Sequence, residues 1–145
     1  RFAQKRNELF KGDNEMKEQE LINAAERAMK KSYAPYSHFN VGAALLCKDG
    51  KLYLGANVEN SSFSLCCCAE RNAFFRAVND GEREFEAIAI VGGKNHSIEK
   101  LCPPCGACRQ VMTEFCKPNF EIILTDGSKN KTFKLEDVMP LGFSL

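Results

Sequence analysis

Apolar and polar positions alternate along this chain with two different periods, and the change from one to the other marks the elements. Between Glu18 and Lys31 the apolar residues Leu21, Ala25, Ala28 and Met29 recur at three- and four-residue steps, the spacing of one face of an α-helix, and Pro35 forbids its continuation. Phe39 to Cys47 is a mostly apolar run. It is followed by an Asp49-Gly50 turn pair and then by Leu52, Leu54, Ala56 and Val58, alternating as in a half-buried strand, so the two runs predict a β-hairpin. Cys68 to Asn79 carries good helix formers with Ala69, Ala73, Phe74 and Ala77 on one face, and Gly81 stops it. Phe85 to Val91 predicts a short apolar strand ending at Gly92-Gly93. After Pro103-Pro104, residues 105–116 predict a helix with Val111, Met112 and Phe115 inward. Phe120 to Thr125 follows as a buried strand, Asp126-Gly127 as a turn, Thr132 to Leu135 as a weaker strand, and Glu136 to Met139 as a turn of helix ended by Pro140.

The resulting order, α-β-β-α-β-α-β-β, contains no repeat, linker or low-complexity tract. It predicts an α/β fold with a single mixed β-sheet of about five strands covered by helices. The first hairpin is antiparallel, and each strand–helix–strand crossover implies parallel neighbours. Residues 1–15 are polar and aperiodic and precede Met16, so they are expected to be a disordered or expression-derived extension. The expected single catalytic domain then covers 16–145.

Composition narrows the function by exclusion. A chain of 145 residues with 44% hydrophobic and 27% charged residues has the profile of one globular domain able to close a core without disulfides. Uninterrupted apolar stretches reach only about five residues, as in Ala87 to Val91, far short of the roughly 18 residues of a membrane span, and no basic segment followed by an apolar one opens the chain. A formal net charge of +1 gives no general reason to expect nucleic acid or an anionic membrane as partner. The expected compartment is the cytoplasm.

Eight cysteines change the picture. Six of them fall in two clusters, Cys66-Cys67-Cys68 and Cys102 with Cys105 and Cys108, and in a reducing compartment clustered thiols point to metal or redox chemistry. Cys68-Ala69-Glu70 and Cys105-Gly106-Ala107-Cys108 each open a predicted helix. There, free N–H groups and the positive end of the helix dipole lower a thiol's pKa and favour metal binding. Two sulfurs of a Cys-x-x-Cys can reach one ion at about 2.3 Å, and a third from another segment leaves one tetrahedral position open, as a catalytic and not a structural zinc requires. Glu70 beside that position is suited to take a proton from water and pass it on. Asn57 and Glu59, two apart in the strand predicted to run through Val58, share a side and form a donor–acceptor pair suited to a sugar hydroxyl. Other readings stand beside these: buried core thiols, a thioredoxin-type redox pair at Cys102-Pro103-Pro104-Cys105, and a structural-zinc interaction module.

Tyr36-Ser37-His38-Phe39, Val41-Gly42-Ala43-Ala44, Asn57-Val58-Glu59-Asn60, Cys68-Ala69-Glu70-Arg71 and Pro104-Cys105-Gly106-Ala107-Cys108-Arg109-Gln110 occur in that order. Through them the chain, from about Tyr36 to Phe143, resembles the short, homotetrameric cytidine deaminases that act on free nucleosides. Cysteine ligands with a glutamate close by are a pattern that base deaminases share. The resemblance implies a three-layer α/β/α fold and one Zn²⁺ per chain held by Cys68, Cys105 and Cys108, with Glu70 as proton shuttle. It further implies that Asn57 and Glu59 hold the ribose hydroxyl, that Ala69 offers its backbone N–H to the pyrimidine, and that Phe39 flanks the substrate. Phe143 would close a neighbouring subunit's pocket in a homotetramer with shared active sites. Arg71, three residues after Cys68, would offset the net charge of −1 left by three thiolates and Zn²⁺. The implied activity is hydrolytic deamination of cytidine and deoxycytidine to uridine and deoxyuridine with release of ammonia, a pyrimidine-salvage step. The chain departs from the family pattern at Phe63, where tyrosine is general, at Pro103, where serine is frequent, in its run of three cysteines, and in its short tail after Phe143.

Overall fold

In the computed structural model, which describes the backbone of residues 2–145 and the side chains of Asn14 and of 17–145, the elements run α1 (Phe2–Met29), β1 (Phe39–Cys47), β2 (Leu52–Ala56), α2 (Ala69–Asn79), β3 (Phe85–Lys94), α3 (Gly106–Phe115), β4 (Glu121–Thr125), β5 (Asn130–Lys134) and α4 (Leu135–Val138). The side chains of residues 1–15, expected to form an extension, lie outside the described ones apart from Asn14. Most boundaries lie within a few residues of the predicted ones. The differences are that α1 begins at Phe2 and not near Glu18, that β3 continues through Gly92-Gly93 to Lys94, and that a 3₁₀ turn forms at Phe63–Leu65.

The strands' two-residue period decides the layers. On β1 and β3, Ala43, Leu45, Ile88 and Ile90 enter one core with Phe74 of α2, Met112 and Cys108 of α3, and Ile122 and Leu124 of β4. Their neighbours Ala44, Ala87, Ala89 and Val91, with Ile123 of β4, enter the other core beneath Leu21, Ile22, Ala25 and Met29 of α1. Three layers result, with the five-stranded sheet between α1 on one face and α2 with α3 on the other. Where the helices come closest the sheet has glycine. A Cβ at Gly42 would overlap the backbone of Ala25 and Met29, and one at Gly55 the backbone of Ala69 and Ala73.

The sheet order is β2-β1-β3-β4-β5. The hairpin β1–β2 is antiparallel and β3–β4 is parallel, both as predicted. The crossover from β2 through α2 to β3 is different. β1 lies between the two strands and pairs antiparallel with β3, so β2 and β3 point the same way without being neighbours. Helix α2 packs across β2 and β1 together, and spanning two strands carries the chain one place further along the sheet. The consequence for the site is that the carboxyl end of β3, the start of β1 and the amino ends of α2 and α3 meet on one side.

Candidate active site

Cys68 and Cys105 are the residues immediately before α2 and α3, each with extended backbone, and their carbonyls accept the first helical bonds from Asn72 (3.1 Å) and Arg109 (3.0 Å). Neither thiol caps its own helix. Both point instead at a common centre, with Cys68 Sγ 3.8 Å from Cys105 Sγ and Cys105 Sγ 3.5 Å from Cys108 Sγ. All three sulfurs lie within 4.8 Å of one another. A tetrahedral zinc with sulfurs at about 2.3 Å separates its ligand sulfurs by about 3.8 Å, so the donor set fits that ion. Cys102 stands outside the group, so Cys105 keeps company with Cys108 and Cys68 and not with Cys102, the partner that the Cys102-Pro103-Pro104-Cys105 redox reading requires.

Electrostatics gives the cluster the character of an anion in waiting. The Cys68 thiol is pulled down to about 5, first by the hydrogen bond from Cys108 and then by Arg71, whose Nη2 lies 3.3 Å from its sulfur. Cys108, on the donating side of that bond and buried, is pushed up. A bound cation takes all three to thiolates. The Arg71 Nε is buried without a partner, alone among the described side chains.

Glu70, two residues into α2's first turn, is only 4% exposed. Burial raises its carboxyl to about 7, with the charge of Cys68 adding to the rise. Cys102 is raised to about 12 by burial, with Glu70 and Cys68 contributing, and stays a neutral thiol. It packs on Gly92, where a Cβ would stand 2.7 Å from its sulfur and 3.1 Å from the Phe39 ring. Ala69 is fully buried and holds the first helical position, where an N–H has no acceptor within its helix.

Beside the thiols lies a second set of groups. β2 stops at Ala56, so Asn57 and Glu59 flank a short extended segment and not a strand, but Val58 between them bridges both Tyr33 and Cys67 and preserves the two-residue alternation. The Glu59 carboxylate accepts from the N–H groups of Tyr36 (3.2 Å) and Ser37 (3.1 Å). Burial pushes its carboxyl up, but those bonds and the nearby His38 outweigh it and hold it below the usual range. Asn57 donates to the Phe39 carbonyl (2.9 Å) and accepts from the Val41 N–H (2.8 Å). The fold thus brings Cys68, Cys105, Cys108, Glu70, Arg71, Ala69, Phe39, Asn57 and Glu59 to one region. Phe143 stands apart, 65% exposed, with its carbonyl held by Gln110. Sequence reasoning passed over Ser32 and Asn40, which bond to Asn57 or to each other. A serine at a helix end and an asparagine in a strand give no pattern signal. A second group of candidate ligands, Cys47, Asp49 and Glu82, is filled by the Lys51 ammonium, 2.5 Å from Glu82 and 3.2 Å from Asp49.

Comparison with known proteins gives a consistent picture. A family model described as the cytidine and deoxycytidylate deaminase zinc-binding region matches residues 15–123. A cytidine deaminase of Sporosarcina psychrophila is 48% identical over 108 residues, covering 74% of this chain and 76% of the relative. The crystal structure of a cytidine deaminase from Burkholderia pseudomallei superposes with a TM-score of 0.80 at 48% identity, covering 86% of this chain and 98% of the other. That of Mycobacterium tuberculosis gives 0.73 at 35% identity, covering 88% and 97%.

Replacing Cys105 or Cys108 by alanine is expected to abolish zinc binding and lower thermal stability, whereas Cys102→Ala keeps both. Metal content by atomic emission and melting temperature check this, and a Cys102 variant without zinc would contradict the grouping of the thiols.

Proposed function

Because the chain belongs to the family of cytidine and deoxycytidylate deaminases, we propose that its thiol cluster and Glu70 form the centre at which it deaminates cytidine. The protein is a zinc-dependent hydrolase of cytidine, with pyrimidine salvage as its role. The observation that carries the site assignment is the approach of three sulfurs from two helix starts, 3.5 and 3.8 Å apart, beside a buried carboxyl.

In this reading Cys68, Cys105 and Cys108 hold the ion. Zinc, when bound, would supply a Lewis acid that acidifies water beside Glu70. Glu70 takes a proton from the attacking water and delivers it to N3 of the cytosine ring, then carries the second proton to the 4-amino group, which leaves as ammonia while C4 keeps the oxygen. A carboxyl raised toward neutrality by burial is suited to both giving and taking a proton. Arg71 offsets the charge of the thiolates. The Ala69 N–H meets the pyrimidine, Phe39 flanks it, and Asn57 with Glu59 holds the sugar hydroxyl. Deoxycytidine is the second substrate. The ionised Glu59, held by two backbone N–H groups, favours nucleosides over nucleotides, since a phosphate nearby would meet like charge.

Residues 16–145 form the single catalytic domain in this reading, with 1–15 outside it. The assembly is a homotetramer that shares its active sites. Exposed apolar residues about the site support this, Tyr36, Val58, Phe63 and Leu65 among them, as does Phe143 at the end of the chain. Nucleic acid and membranes are not among its partners; no helix among the described residues is long and apolar enough to cross a membrane. Eight free thiols suit a reducing compartment, and the cytoplasm is the proposed location.

Glu70→Gln is expected to keep zinc and fold while turnover falls by at least ~10²–10⁴-fold, read as loss of cytidine absorbance. Near-parental activity would remove Glu70 from the chemistry. Deleting Gly142 to Leu145 is expected to raise the KM for cytidine with zinc content intact. An active monomer in sedimentation, or an unchanged KM, would contradict the shared site.

A further inference from the structure

Every side-chain hydrogen-bonding position of Asn57 but one is filled by the protein itself, and its backbone groups are engaged as well. Its backbone N–H donates to Val41 (3.2 Å) and its carbonyl accepts from Tyr33 (3.0 Å). The side-chain Oδ1 accepts twice, from the Val41 N–H at 2.8 Å and from the Ser32 hydroxyl at 2.5 Å, which uses both lone pairs. One Nδ2 proton goes to the Phe39 carbonyl at 2.9 Å. A single N–H remains.

The Ser32 hydroxyl is itself oriented. It accepts from Asn40 Nδ2 at 3.1 Å, so its proton is directed to Asn57. Asn40 is only 7% exposed and Ser32 and Asn57 are half-buried, so this chain of bonds ties the end of α1, β1 and the 57–59 segment together at a partly buried site. With Ser32 in place, Asn57 presents a donor and no acceptor to anything bound beside it. Glu59, an ionised carboxylate whose Oε1 is already held by Tyr36 and Ser37, presents only acceptor capacity.

From this we infer that Ser32, aligned by Asn40, is a positioning residue that fixes the polarity of the sugar contact: the nucleoside hydroxyl accepts from Asn57 Nδ2 and donates to Glu59. The inference rests on the proposed reading of Asn57 and Glu59 as the sugar-binding pair. Removing the Ser32 hydroxyl frees a lone pair on Oδ1. The amide is then less firmly held, and its acceptor competes with Glu59 for the sugar proton. The chemistry at the thiols, which Ser32 does not touch, continues.

The test compares cytidine with 2′,3′-dideoxycytidine, which lacks the sugar hydroxyls in question, using zinc-loaded parent, Ser32→Ala and Asn57→Ala proteins. In Ser32→Ala the KM for cytidine is expected to rise about three- to tenfold, the loss of one aligned hydrogen bond. Its kcat, zinc content, melting temperature and constants for the dideoxynucleoside are expected to stay near parental values. A merely structural role would weaken both nucleosides alike and lower the melting temperature, and either that result or unchanged cytidine KM overturns the inference. Asn57→Ala separates the two levels. If it lowers the preference for cytidine and Ser32→Ala does not, only the positioning role fails. If it leaves the preference intact, the sugar-binding reading fails and the positioning role with it.

Discussion

Two helix starts aimed at one point are what this molecule is built to hold. Without the packing of α2 and α3, Cys68 would lie 37 residues along the chain from Cys105 with nothing to keep their sulfurs 3.8 Å apart. The approach depends on close contact between helix and sheet. Gly55 admits the backbone of α2, Asn72 ties that helix to the Ala56 carbonyl at 2.8 Å, and Arg76 ties it to Leu54 at 2.7 Å. On the other helix Arg109 holds the Pro104 carbonyl at 2.8 Å and that of Val138 at 2.6 Å, bracing the turn that delivers Cys105. Each cysteine is thereby aimed by bonds that lie outside the thiols themselves.

The same placement sets the electrostatics. The Cys108 thiol donates to Cys68, and Arg71 adds a full positive charge beside it, so both draw Cys68 toward the thiolate. Glu70, in the first turn of the same helix, gains the opposite treatment: burial lifts its carboxyl toward neutrality. An acid and a thiol two residues apart thus have their proton affinities driven in opposite directions, the separation that the proposed proton transfer would use.

The elements and the thiol cluster were legible in the sequence for a physical reason. Strand and helix periods, glycine and proline stops, and helix-start cysteines are local features, and the apolar runs Phe39 to Cys47 and Phe85 to Val91 do form the strands β1 and β3. What local pattern cannot carry is strand order, so the insertion of β1 between β2 and β3 appears only in the fold. Nor does alternation tell a strand from a pair of isolated bridges, which is why Asn57 and Glu59 share a side without belonging to β2. Ser32 and Asn40 were invisible because their significance is a three-residue hydrogen-bond chain spanning 25 positions, and neither residue type is unusual where it stands. The role expected of Phe143 rests on resemblance, since a lone aromatic near a chain end has no period to place it, and in the fold its side chain is exposed and its carbonyl is what Gln110 holds.

If one zinc at the three thiols makes this chain a deaminase, titrating zinc into chelator-treated protein while following cytidine conversion shows it most directly. Turnover is expected to rise in proportion to bound zinc and to level off at one ion per chain, with protons released as the thiols ionise. Full turnover without zinc, or one zinc bound per chain with no conversion of cytidine, would contradict the account.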